Sequence, residues 1–216
     1  PDNLRIVRGI PDLASVLIAR GQLLNEVDNV VETSSVSDEE DRAAYRGHVS
    51  ALQGQVEAAL DFFVAAHRKS EEREFLVADY GIWHCGLLGR LHRALTARRL
   101  TELHRDECLS WFGPAGRDIP TCRLLLAELS LRRGDTQDAA DQLQQASDWA
   151  LARDAKEVLC WSAMVRGRLE LARFGEDGGV ASGSVQQAAV ATGEGLRIAR
   201  DCGYAVFHVD LLLQQA

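Results

Sequence analysis

Two glycines, Gly54 and Gly134, constrain this chain most, because each sits between a pair of helical stripes with matched spacing. Before Gly134, the stretch that opens at Pro120 carries apolar or small residues at Leu124, Leu125, Ala127, Leu129 and Leu131. After it they fall at Ala139, Ala140, Leu143, Ala146, Trp149 and Ala150, steps of three and four that gather on one side of a helix. Gly134 suits the reversal between the two stripes, since glycine takes positive φ with no Cβ penalty. Small Ala139 and Ala146 let the second helix lie close against the first. The pattern predicts a helical hairpin.

The hairpin recurs. Ala127 lies seven residues before Gly134, and Ala139, Leu143 and Ala146 lie five, nine and twelve after it. The same offsets from Gly54 reach Gly47, Ala59, Phe63 and Ala66. From Gly89 they reach Ile82, Ala94, Arg98 and Thr101, a weaker copy. The anchors stand 35 and 45 residues apart, and a step of this size with two helices in each step is the mark of stacked helix pairs. Four prolines and abundant Ala, Leu, Arg, Glu and Gln favour helix over sheet.

Gly47, Gly54, Ala59, Phe63 and Ala66, with Ala127, Gly134, Ala139, Leu143 and Ala146, resemble the tetratricopeptide repeat (TPR) family. That family's Trp early in the first helix and its closing Pro are absent. More narrowly, the segments YGIWHCGLLGR and RDIPTCRLLLAELSLRRGDTQDAADQLQQASDWALARD look like the C-terminal repeat arrays of bacterial STAND-type signalling NTPases, and GLRIARDCGYAVFHVDLLLQQA adds to the likeness. The resemblance implies an all-α, right-handed superhelix of stacked antiparallel helix pairs. It also implies a sensor or partner-binding arm attached to a nucleotide-driven switch.

The expected layout is an N-terminal capping region at residues 1–36, TPR-like repeats at 37–73, 74–117, 118–153 and 154–203, and a partial unit at 204–216. Within it, Ser37 with Glu40 reads as a capping box, and Asp118, Asp154 with Glu157, and Ser184 with Gln187 read as further helix starts. Residues 175–183 are too polar and glycine-rich to pack and read as a surface insert. Pro1 in place of an initiator Met, and an apolar pattern still running at 206–216, lead to the expectation of a piece of a longer protein.

Charge and cysteines narrow the function. A net charge of −8 argues against general nucleic-acid binding, which needs a basic face. No apolar run approaches the roughly 20 residues that span a bilayer. Five cysteines, an odd number with no C-x-x-C pair, read as buried free thiols in a cytoplasmic protein.

Catalytic signatures are missing: no G-x-x-x-x-G-K-[ST], no G-x-G-x-x-G and no G-x-S-x-G. His84, Cys85, His92, His104 and Cys108 fall close together in the sequence, and His104 and Cys108 share a helix face. Their spacing fits no metal-ligand motif, so ordinary core and surface placement is expected, with no metal, cofactor or catalytic residue. A metal-dependent enzyme built from this group is the third reading.

What remains is a surface. In a right-handed stack the first helix of each pair lines the concave side, where such arrays hold a peptide or partner helix. By helical phase the outward residues there are Tyr45, His48, Asp79, Tyr80, Trp83, Glu128, Arg132, Trp161 and Arg168. Aromatics and arginine are frequent interface anchors, although Trp83 and Trp161 could equally fill gaps between neighbouring pairs. The Lys/Asn set with which TPR proteins grip acidic C-terminal tails is missing here. The expected partner is a protein, a peptide or another domain of the same protein, with homo-oligomerisation through the repeats as the alternative.

Overall fold

The computed structural model describes residues 39–69, 76, 78–176 and 182–215. The expected capping region at residues 1–36, Ser37 of the capping box and the middle of the glycine-rich insert lie outside the described residues, as do the side chains of Glu40 and Asp79. Among the described residues all regular structure is helical. In chain order the helices are α1 (Glu39–Leu52), α2 (Val56–Lys69), α3 (Ala78–Arg90), α4 (Ala94–Phe112), a 3-10 turn (Gly113–Ala115), α5 (Asp118–Leu131), α6 (Thr136–Leu151), α7 (Lys156–Glu176), α8 (Ser182–Cys202) and α9 (Ala205–Gln215). None of them is long and apolar enough to cross a membrane.

The chain divides into two compact units, Pro1–Thr96 and Ala97–Ala216. In the first, α1 packs along α2 and also touches α3. Its core joins Ala44, Tyr45, Val49, Ala59, Phe63, Ala66, Tyr80 and Leu87. In the second, α5 packs on α6, α6 on α7, α7 on α8 and α8 on α9, while α5 also touches α7 and α7 touches α9. Two cores result. One joins Leu124, Ala127, Ala139, Leu143, Ala146 and Val165, and the other joins Cys160, Met164, Leu196, Ala199 and Leu211.

The helix ends explain why the chain turns where it does. Gly54, His92, Gly134, Asp154 and Gly203 all have positive φ. The N–H after each bonds back to the carbonyl five residues earlier: Gln55 to Ser50 (2.8 Å), Arg93 to Leu88 (3.0 Å), Asp135 to Ser130 (3.0 Å), Ala155 to Ala150 (3.0 Å) and Tyr204 to Ala199 (2.8 Å). This closure satisfies carbonyls that the helix end would otherwise leave open.

Several local expectations shift. Gly89 does not turn the chain: it is buried within α3, and His92 takes the left-handed conformation instead. Glycine serves both purposes, space in a helix and freedom of φ, and the sequence alone did not separate them. The turn residues at 54, 92 and 134 therefore stand 38 and 42 apart, a more even step. Asp154 is a turn residue, not a cap, and its carboxylate pairs with Lys156. Asp118 is the first residue of α5, with Arg117 at the cap position and no side-chain cap. The start of α8 lies two residues ahead of the expected Ser184, at Ser182.

Burial follows the corrected turns. Seven residues before and five, nine and twelve after His92 stand Cys85, Ala97, Thr101 and His104, all buried, as are the residues at these offsets from Gly54 and Gly134. From 51 to 66 and from 131 to 146, the pattern of buried, intermediate and exposed positions is the same residue for residue. Volumes are exchanged across the hairpin. A Cβ on Gly47 would lie 3.1 Å from the Phe63 ring and 3.2 Å from the Ala59 carbonyl oxygen. The matching pair in the second unit is Ala127 with Leu143, a methyl more on one side and a smaller side chain on the other.

Candidate functional site

In the first unit the expected surface residues form an aromatic cluster. Tyr45 on α1 meets Tyr80 edge-on at 5.4 Å and Trp83 at 5.3 Å, and Tyr80 lies 5.6 Å from Trp83. His48 stacks on Trp83 at 4.1 Å with the rings nearly parallel. Phase brings them together: Tyr45 and His48 lie one turn apart on α1, as do Tyr80 and Trp83 on α3. Tyr45 and Tyr80 are buried, so they belong to the core, whereas His48 and Trp83 are partly accessible. The pKa of His48 is pushed down to about 3, by burial first and the charge of Arg90 second. On the same unit His84 stacks on Phe63, and burial, with His67 next, holds its pKa near 4. Both imidazoles are neutral near pH 7.

In the second unit, Glu128 on α5 gathers two of the expected residues from α7. Its Oε1 accepts the Trp161 indole N–H at 2.9 Å and an Arg168 N–H at 3.0 Å. Arg168 also reaches the Met164 sulfur at 3.6 Å. A carboxylate taking a charged and a neutral donor together fixes both rotamers, since charge-assisted bonds are the stronger kind. Arg132, at the C-terminal cap of α5, is exposed. The expected residues thus form two groups, one in each unit.

Two constellations were not foreseen. Arg98 on α4 donates to Ser130 at 2.8 Å, to Asp138 at 3.0 Å and to Glu102 at 2.8 Å, tying α4 to α5 and α6. Ser130 also donates to Asp138, and Gln142 does so at 3.3 Å. Although burial opposes it, these bonds and the Arg98 charge hold the Asp138 carboxyl below its usual range.

The other constellation takes His104 and Cys108 from the sequence group and adds Asp118, which the reading had assigned to capping. Asp118 Oδ2 lies 3.9 Å from His104 Nε2 and 3.8 Å from Cys108 Sγ. Burial, then the carboxylates of Asp118 and Glu107, push the Cys108 thiol up to about 12. Cys85, in the first unit, is buried, while His92 is exposed at its turn. All five cysteines are free, and all but Cys202 are buried.

Against models of protein families, curated proteins and solved structures, the chain finds no match.

Proposed function

We propose that this chain is a non-catalytic interaction module: TPR-like helix pairs stacked in a right-handed superhelix, acting as the sensor or partner-binding arm of a larger bacterial signalling ATPase or regulator. Its partner is a protein, a peptide or another domain of the same protein. The reading rests on one observation, the shared register of turn and burial at Gly54, His92 and Gly134. That first helices of successive pairs touch, α1 with α3 and α5 with α7, supports stacking further. Helices arranged so present side chains in rows, and the accessible parts of Trp83 and of Trp161 with Arg168 are the anchors in this proposal. The mechanism is differential binding: a partner that fits one arrangement of the arm better shifts the attached switch toward it.

The test compares the parent chain with Trp83→Ala and Arg168→Glu, each checked for native helix content. Quantitative capture from lysate should yield partners retained by the parent and lost with a variant. Identical profiles for all three would sink the anchors. The second reading, self-association, draws on Leu212 and Leu213 of α9, 47% and 72% exposed. Light scattering across a concentration series separates the two, because only self-association gives a mass that grows with concentration.

A further inference from the structure

We propose that His104, Cys108 and Asp118 form a binding site for a divalent transition-metal ion of the zinc type, joining α4 to the first turn of α5. The imidazole nitrogen and the thiol sulfur approach the same carboxylate oxygen, at 3.9 and 3.8 Å, and the three ligand atoms all lie within 4.8 Å of one another. Zinc bonds of about 2.0–2.3 Å in a tetrahedron set ligand-to-ligand edges of roughly 3.3–3.8 Å. Contraction by a few tenths of an ångström brings the His104 and Cys108 contacts with Asp118 onto those edges.

The repeat itself sharpens the argument. His104 and Cys108 stand twelve and sixteen residues after the turn residue His92; the same offsets from Gly134 hold Ala146 and Ala150 in α6. Alanine therefore suffices to pack a second helix at these positions, and both alanines are fully buried. In α4 an imidazole and a thiol occupy the places that methyl groups hold in α6. One turn apart, the two side chains project from one face, the arrangement by which a single helix supplies two metal ligands.

Charge and softness choose the ion. A thiolate with a carboxylate carries two negative charges, which a divalent cation neutralises, and the neutral imidazole completes a mixed N/S/O set. Such a set suits zinc or cobalt and not the hard, oxygen-seeking magnesium or calcium. His104 and Cys108 are buried, while the Asp118 side chain keeps 24% of its surface accessible, leaving a solvent side for entry and for a fourth ligand.

Cobalt(II) is the probe. The full chain, freed of metal by a chelator and kept reduced with a phosphine, is titrated with Co²⁺. One equivalent should produce visible ligand-field bands and a near-ultraviolet thiolate-to-cobalt band, both displaced by Zn²⁺, and Zn²⁺ should raise the melting temperature by linkage. His104→Ala and Cys108→Ala install the residues α6 carries at these offsets; with native circular dichroism, the first should weaken and the second abolish the thiolate band. Asp118→Asn should lower Co²⁺ affinity at least tenfold. If Cys108→Ala does not fold, Cys108→Ser makes the same measurement. A folded parent chain with no thiolate band, or a band that survives loss of Cys108, overturns the proposal.

Discussion

At position 47 a single hydrogen in place of a methyl group sets how closely α1 and α2 approach. Gly47→Ala drives a Cβ into the Phe63 ring and the Ala59 carbonyl, an overpacking that should cost about 1–3 kcal/mol. Phe63→Leu alone should also destabilise, by leaving a void. Together they recreate the Ala127–Leu143 pair, so a denaturant double-mutant cycle should show at least about 0.5 kcal/mol of favourable coupling; strict additivity would refute the exchange of volumes. Gly134→Ala, at φ 74°, tests backbone alone, because nothing lies within 4 Å of the added Cβ. Its expected cost in chemical denaturation is about 1–2 kcal/mol. The small residues at these offsets were legible in the sequence because steric exclusion leaves few alternatives. His92 was not, since a non-glycine residue in the left-handed region is a local loss that only the surrounding closure makes tolerable.

Between elements, side chains clamp one helix to another. Glu128→Ala removes the acceptor shared by Trp161 and Arg168, and should lower stability by about 1–3 kcal/mol through the indole N–H left behind. Arg168→Ala should cost at most about 1 kcal/mol, because its side chain is 40% exposed and its ion pair is screened. Urea unfolding of both variants decides; equal losses would mean that the carboxylate does not act through the tryptophan. Helical phase singled out Glu128, Trp161 and Arg168 as outward residues on α5 and α7, the first helices of their pairs, but not the bonds that join them. It missed Arg98 and Asp138, which sit on α4 and α6, second helices outside the set from which the candidate surface was drawn. It also missed Asp118, because a carboxylate at a helix start has a ready electrostatic explanation in the helix dipole.

Across the whole chain, two partly buried imidazoles give the first unit its own response to acid. His48 is held down to about 3 and His84 to about 4 when folded, against about 6.5 for an imidazole in the unfolded chain. Below pH 6.5 the unfolded chain takes up protons that the folded unit refuses, so stability falls as pH drops from 6.5 toward 3–4. Each site contributes a slope of up to about 1.4 kcal/mol per pH unit. Hydrogen exchange resolved by segment should show α1–α3 opening faster at pH 4.5 than at pH 7. The double variant His48→Gln/His84→Gln should lose that dependence; if it keeps it, other groups carry the acid response. The all-helical class was readable from composition and periodicity, whereas the division at Ala97 was not, because a helical stripe looks alike on both sides of a boundary.

The helix ends carry a consequence for how such a chain can change over time. Each reversal at Gly54, His92, Gly134, Asp154 and Gly203 is closed by main-chain amides and carbonyls, with tips that face water. Apart from the left-handed residue itself, identity at those tips, and at most outward positions, is therefore close to neutral for the architecture. Two descendants could keep this backbone while retaining in common little beyond the small residues at the crossings, and a short epitope or fluorophore spliced beside Gly54 or Gly134 should leave the hairpins standing.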